Sequence, residues 1–208
     1  TPPAIHAPAK PCADYAPVGL TVGASKTVTS PDCRWAIFWA DADHPRPAFP
    51  VSGWRNDNTP LIDLKTNKVV ATFFMEESSM VHWLKDDRHL IINYFDGSGA
   101  AEPLAISLPP FAGKPVDLAA LVLPDVLRRI HKRQAQVYHY YVYFFKDAGD
   151  RVMISAEPVF TIKGEDGPGD SRCLIYSIDK ATFRHYRLVK YFHDDDAHPC
   201  PSNPDEKW

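Results

Sequence analysis

The sequence contains no long hydrophobic run. Its longest apolar stretches have the length of a β-strand, whereas a membrane-spanning helix needs about 20 consecutive apolar residues. It also contains no cluster of Lys and Arg, and its 23 basic and 26 acidic residues give a formal net charge of -3. A nucleic-acid backbone is bound by a basic face, which this composition does not provide. The sequence therefore predicts neither a membrane span nor a nucleic-acid interface.

Motifs that mark common enzyme classes are missing as well. There is no phosphate loop and no dinucleotide-binding fingerprint. No candidate nucleophile lies in a Gly-x-Ser-x-Gly elbow; the serines considered are Ser78, Ser79, Ser98 and Ser107. The paired carboxylates Glu76-Glu77 and Asp86-Asp87 fall in turns, where solvation and turn formation account for them. We therefore expect a protein without enzymatic activity, without catalytic residues and without a cofactor.

Two acidic stretches invite a metal-binding interpretation. Residues 193–198 contain two His and three Asp, but successive residues of an extended tail point in alternate directions. Residues 165–170 lack the Asp-x-Asp-x-Asp-Gly register of a calcium loop. A solvated acidic tail and a polar hairpin tip explain the two stretches, so no metal is expected.

The four cysteines indicate a compartment. Cys12, Cys33, Cys173 and Cys200 are even in number and form no Cys-x-x-Cys pair, which favours two disulfides over a zinc site. Three pairings are possible; Cys12 with Cys33 and Cys173 with Cys200 would each join a terminal tail to the nearest strand. Four free thiols in a cytosolic protein are the alternative.

The chain begins with Thr1 and has five prolines in its first 17 residues. Such a start is typical of a mature end left by signal-peptide removal, although an arbitrary boundary would look the same. We expect an exported, periplasmic protein.

One local pattern occurs three times. Ser30-Pro31-Asp32-Cys33-Arg34 is a turn that leads at once into the apolar strand Trp35-Ala36-Ile37-Phe38. Residues 84–88 and 146–150 are similar turns, followed by apolar strands at 89–92 and 151–154. We call the three turns the anchor turns. They predict a repeated β unit.

The remaining pattern predicts an all-β, mainly antiparallel fold with one inserted helix. Hairpins are indicated at residues 61–74 and 173–189, and helical spacing occurs over residues 116–133, with Pro124 starting a helix or kinking a longer one. Residues 1–17 and 193–208 are predicted to be tails. Residues 18–192 are predicted to form a single domain.

The first anchor turn and its hairpin carry a family resemblance. A Ser-Pro-Asp-x-Arg turn, an apolar strand, a loop and the hairpin that begins Ile62-Asp63-Leu64-Lys65-Thr66 resemble a blade of the TolB-like β-propeller family. The third unit keeps the ending Tyr176-Ser177-Ile178-Asp179-Lys180, and the second keeps the turn and Asp96-Gly97. The resemblance implies a small, irregular β-propeller-like domain. Three units fall short of the four blades of a closed ring, so the N-terminal strands and residues 136–145 would together build a fourth, degenerate blade, or the sheets would pack as an open, sandwich-like stack.

Two regions are candidates for binding. The long loop at residues 41–59 carries Trp54, Arg55 and Asp57, and Trp and Arg are frequent interface anchors. A second loop supplies Glu165, Asp166 and Asp170. These six are the predicted partner-binding residues. The aromatic strand at residues 136–145 could also stack on a sugar or a partner, but such strands are more often core.

A small, disulfide-bearing, exported β domain without enzyme motifs is most simply a protein-binding module. In size and compartment the chain resembles periplasmic immunity proteins, which neutralise effectors of type VI secretion and include propeller-like folds. The leading hypothesis is an inhibitor that occludes the active site of a cognate cell-wall- or lipid-degrading toxin. The alternative is a cell-envelope binding or scaffolding module for a peptidoglycan fragment, a metal or a lipoprotein. An enzyme is the third possibility.

Overall fold

The computed structural model describes residues 25–40, 59–66, 68–73, 80–95, 100–109, 114–131, 137–160, 170–195 and 197–202. It confirms the mainly antiparallel all-β class with one inserted helix. The elements are β1 (Ser25–Thr29), β2 (Trp35–Ala40), β3 (Thr59–Asp63), β4 (Lys68–Phe73), β5 (Met80–Trp83), β6 (His89–Phe95), β7 (Ala100–Ser107), β8 (Val116–Asp117), α1 (Leu118–Ile130), β9 (Val137–Ala148), β10 (Arg151–Phe160), β11 (Asp170–Asp179) and β12 (Tyr186–His193).

The chain divides into two compact units, Thr1–Glu77 and Ser78–Trp208. In the first, β1 to β4 form a four-stranded antiparallel sheet in chain order, which we call the first meander. Its predicted hairpin is present, with a turn between Asp63 and Lys68. Ile37, Leu61 and Ile62 are fully buried. Leu61 and Ile62 are consecutive, so β3 buries side chains on both of its faces, and consecutive buried residues in β2 (Ala36 and Ile37) do the same; both strands lie at the centre of the sheet.

The second unit contains two further meanders. Strands β5 to β8 form the second meander, and β9 to β12 form the third, each antiparallel and in chain order. A short parallel pairing of β7 with β9, Ala100 with Tyr140 and Ala101 with Tyr141, joins them into one eight-stranded sheet. None of the described sheets closes into a barrel. Each meander has the four-stranded topology of a propeller blade.

Residues 137–148 therefore begin the third meander, so the expectation that residues 136–145 help to build a fourth unit is wrong. The strand pairs along its length with β10, which commits it to that sheet.

Helix α1 closes one side of the third meander. Asp117 caps its N-terminus by accepting a hydrogen bond from the Ala120 N–H at 2.9 Å, and His131 ends it in the left-handed conformation. Pro124 lies inside this single helix. Its apolar stripe packs into one core with β10 and β11. The buried residues of the stripe are Leu118, Val122, Val126 and Ile130, at helical spacing.

The first two anchor turns have the same hydrogen bonds. In the first, the Ser30 N–H donates to the Trp35 carbonyl and the Cys33 N–H to the Ser30 carbonyl, both at 2.9 Å. The Asp32 carboxylate accepts from the Arg34 N–H at 3.0 Å. The left-handed residue is Cys33, with a φ of 57°.

In the second anchor turn, the Leu84 N–H donates to the His89 carbonyl at 3.0 Å and the Asp87 N–H to the Leu84 carbonyl at 3.2 Å. Asp86 accepts from the Arg88 N–H at 3.0 Å, and Asp87 has a φ of 53°. The third turn is a tighter hairpin with Gly149 at a φ of 79°. All three turns join the first and second strands of a meander, which confirms the repeated unit.

The last hairpin differs from the predicted bounds. Strand β12 starts at Tyr186, three residues after the predicted start at Phe183. Phe183 has a φ of 50°, donates its N–H to the Asp179 carbonyl at 2.8 Å, and buries its ring edge-on against His89. Packing of this ring inside the turn delays the strand.

Candidate functional site

The two faces of the third meander differ in what covers them. Because side chains alternate along a strand, Val142, Phe144 and Ile154 point to the core shared with α1, whereas Tyr141 and Tyr143 point the other way. We call the face opposite α1 the outer face. It contains the candidate site.

Aromatic rings form a row along β9 on the outer face. The His139 and Tyr141 rings lie 5.6 Å apart at 28°, and the Tyr141 and Tyr143 rings lie 6.3 Å apart at 10°. All three side chains are half-buried. The sequence favoured a core role for this strand. Val142, Phe144 and Phe145 have that role, whereas His139, Tyr141 and Tyr143 form a half-buried surface.

Glu157 lies beside this row. It pairs with Tyr141 across the β9–β10 ladder, and its neighbour Ser155 pairs with Tyr143. The pKa of Glu157 is raised to about 8. Burial is the largest cause, and a hydrogen bond and charge repulsion from Asp194 add to it. The Asp194 carboxyl group therefore lies close enough to Glu157 to disfavour the ionised form of Glu157. Burial and the nearby Glu157 also raise the pKa of Tyr143 to about 12.

The chain after β12 folds back across the outer face. Its described residues, 194–195 and 197–202, are called the C-terminal strap. The predicted Cys173–Cys200 disulfide is present, with the two Cα atoms 5.4 Å apart. Asp194 accepts a hydrogen bond from the Cys200 N–H at 2.8 Å, and the Ser155 hydroxyl donates to the Pro201 carbonyl. The strap is thus fixed covalently and by hydrogen bonds.

Beneath the strap lies a small apolar cluster. Phe145, Cys173 and Ile175 are buried there, with Met153 and Phe192 packed against them. The disulfide contributes part of the cover. The acidic tail predicted for residues 193–208 is therefore pinned to the sheet at Cys200.

Asp170 is the one predicted partner-binding residue among the described residues. Its carboxylate accepts from the Arg172 guanidinium at 2.8 Å and lies 2.9 Å from His193 Nε2. The other five, Trp54, Arg55, Asp57, Glu165 and Asp166, lie outside the described residues. Cys33 is disulfide-bonded, and its predicted partner Cys12 also lies outside them.

A second polar cluster joins the second and third meanders. The Lys180 ammonium, whose side chain is 5% exposed, donates to Asp147 at 2.5 Å and lies 4.0 Å from Asp86. Asp147 also accepts from the Lys85 N–H at 2.7 Å, and Asp86 bonds to His89 at 2.7 Å. Burial alone would raise the pKa of Asp86, but its bonds to His89 and the Arg88 N–H lower it. These paired charges hold the second and third anchor turns together.

A third cluster lies on the inner face. The Tyr176 hydroxyl donates to Asp125 of α1 at 3.0 Å, and Arg128 and Arg129 also donate to that carboxylate. Burial would raise the pKa of Asp125, but the bonds from Arg129, Arg128 and Tyr176 lower it. This cluster ties the helix to β11, so its role is structural.

The Glu157 and Asp194 pair was missed at the sequence level. The two residues are far apart in the chain, and only the strand register brings them together. The signal that could have pointed to the site was the alternation of aromatic residues at His139, Tyr141 and Tyr143.

No family model and no curated protein matches the chain. In the described part of the chain no helix is long and apolar enough to cross a membrane. The described residues also contain no group of three or more His, Cys, Asp or Glu placed to hold a metal ion.

Proposed function

We propose that the chain is a periplasmic, non-catalytic binding protein that neutralises a bacterial effector by covering its active site. The observation that carries the proposal is the outer face of the third meander. There, two tyrosines and a half-buried carboxyl pair lie on the same face as a disulfide-pinned strap. The resemblances of the sequence to TolB-like blades and to periplasmic immunity proteins favour the same function.

The composition of the outer face favours a protein partner. Tyrosine provides a large contact area with few rotatable bonds, and interface hot spots are enriched in it. Tyr141 and Tyr143 sit on a strand paired on both sides and stack on each other. Little conformational freedom remains to be lost on binding, which favours affinity.

The disulfides support the proposed compartment. Disulfides persist in oxidising environments such as the bacterial periplasm and are rare in the cytosol. Cys33, Cys173 and Cys200 are all disulfide-bonded.

The geometry of the carboxyl pair favours binding over hydrolysis. In glycosidases the two catalytic carboxyl groups stand about 5 Å or more apart, so that the sugar fits between them. Asp194 instead lies close enough to Glu157 to raise the pKa of Glu157 through a hydrogen bond and charge repulsion. Such a pair is better suited to hold the strap and to receive a polar group of a partner.

The test is co-purification with the product of a neighbouring toxin gene. The wild-type chain should bind and inhibit that toxin, and Tyr141→Ala with Tyr143→Ala should weaken binding at least tenfold. Met80→Ala is the matched control, because this exposed side chain lies in the same unit on β5. Failure to bind any product of the gene neighbourhood would count decisively against an immunity role.

A second candidate function is recognition of a cell-wall fragment, favoured by the row of three near-parallel rings on β9. Aromatic rows of this kind also serve as contact surfaces for sugars. Calorimetry with muropeptides separates the two functions, since an inhibitor of a protein should give no binding heat with them.

A further inference from the structure

Strand β12 forms one edge of the eight-stranded sheet. One edge of β12 pairs with β11, and among the described residues no strand pairs with its other edge. An edge strand presents backbone N–H and C=O groups that can pair with another chain. Two of the four exposed large apolar side chains in the described residues also lie on β12, Val189 at 48% and Tyr191 at 44% exposure. The edge thus combines backbone groups with apolar side chains.

The same edge is basic. Arg187 and Lys190 are exposed and lie opposite Ser177 and Ile175, which places both cations on the outer face. The Lys190 ammonium lies 4.8 Å from the centre of the Phe192 ring, which fixes its position. Arg184 is exposed in the turn that leads into the strand. This is a local positive strip on a chain with a formal net charge of -3.

We infer that β12 is a docking edge for an acidic extended segment of a protein partner, which adds to the sheet as a further strand. The inference rests on the proposed function, because it names the part of the partner that the chain contacts. Strand addition obtains affinity from main-chain hydrogen bonds and specificity from alternate side chains. Carboxylates of the added strand would lie next to Arg187 and Lys190, and opposite charges on neighbouring strands attract.

Charge selects this occupant over a second copy of the chain. Pairing of two β12 strands would bring two Arg187 and two Lys190 side chains into one strand pair, and their repulsion opposes the dimer. Charged side chains, lysines above all, are devices that keep an edge from pairing with itself. An acidic strand is not repelled in this way.

The test uses a charge swap on the full chain. The probe is a synthetic peptide of about eight alternating Glu and Val residues, and the comparison peptide has Lys in place of Glu. Binding is measured by calorimetry, and the contacted residues are mapped by amide chemical shifts. The variant is Arg187→Glu with Lys190→Glu. The matched control is Lys65→Glu with Lys68→Glu, which changes the net charge equally at exposed positions of the first meander.

The wild type and the control should bind the acidic peptide, with shifts confined to β12 and β11, and the variant should bind it at least tenfold more weakly. The variant should in turn bind the basic peptide. Equal binding by wild type and variant, or shifts elsewhere on the chain, overturns the inference. So does concentration-dependent dimerisation through β12.

The inference and the proposed function can fail separately. If a toxin co-purifies equally with wild type and the charge-swap variant, the inhibitor role stands and the docking edge is wrong. If no toxin is found while the acidic peptide still adds to β12, the docking edge stands and the inhibitor role is wrong.

Discussion

The inner and outer faces of the third meander are built from the same strands but are closed in different ways. The inner face is apolar and is covered by α1, whose buried Asp125 carboxylate is bonded to Tyr176 and two arginines. The outer face carries aromatic rings and a carboxyl pair, and a disulfide holds a strap across it. Burial stabilises one face. On the other, a covalent bond stabilises a surface that stays partly exposed.

The largest effect should come from removing the covalent bond on the outer face. The Cys173–Cys200 disulfide spans 27 residues, and closing a loop of this size stabilises the folded state by about 3.5 kcal/mol on the chain-entropy account. Cys173→Ser with Cys200→Ser should lower the free energy of unfolding by about that amount, measured by urea denaturation. Binding to the proposed partner should also be lost. An unchanged denaturation midpoint would mean that the strap is held without the bond.

A cavity on the inner face should cost almost as much. Leu174 is fully buried in the core shared with α1. Leu174→Ala should lower the free energy of unfolding by about 3 kcal/mol through lost burial and the cavity left behind. Tyr141→Ala on the outer face is the comparison and should cost about 1 kcal/mol, because that ring is only half-buried. Equal losses in the two variants would remove the distinction between the faces.

A smaller effect is expected at the bond between the helix and β11. Tyr176→Phe keeps the ring and removes the hydroxyl that donates to Asp125. The loss should be about 1 kcal/mol, because Arg128 and Arg129 still satisfy the carboxylate. Asp125→Ala provides the contrast: it leaves the Tyr176 hydroxyl buried without its acceptor and should cost more. A larger loss in Tyr176→Phe than in Asp125→Ala would contradict this order.

The smallest effect is a pH dependence on the outer face. The pKa of Glu157 rises from its ordinary value of 4.5 to about 8 on folding. Its contribution to stability is therefore complete below pH 4.5, declines as the pH rises, and is lost above about pH 8. Glu157→Gln mimics the protonated group, so the stability of this variant should vary less than that of the wild type. The difference, about 1 kcal/mol or less after solvent screening, is measured by thermal unfolding between about pH 6 and 9. Parallel pH profiles would show that folding does not raise the pKa of Glu157.

The strands and turns of this fold were predictable because their signals are local. Strand β6 has both of its predicted bounds, His89 and Phe95, and the anchor turns lie where the Asp-containing pattern placed them. Turn residues and alternating apolar residues act within a few positions. The helix at residues 116–133 was also found, although it is shorter than predicted and continues through Pro124.

The candidate site could not be predicted in the same way. Glu157 lies close to Asp194 because β10 pairs with β11, β11 pairs with β12, and the strap then turns back at Cys200. Long-range register depends on packing of whole strands, which a local pattern does not encode. The disulfide is a long-range feature that could be predicted from the sequence, because each cysteine can be recognised as one end of a covalent bond. The binding roles of Trp54, Arg55, Asp57, Glu165 and Asp166 remain predictions.

The short parallel joint between β7 and β9 has a consequence for how this chain can change. Only two residue pairs connect the backbones of the second and third meanders there. Side chains supply the rest: the Asn93 amide donates to the Phe144 carbonyl at 3.0 Å and accepts from its N–H at 2.9 Å. Since few ladder bonds cross the joint, substitutions on the outer face of the third meander can accumulate without moving its neighbour. The outer face can therefore diverge in sequence while the fold is kept.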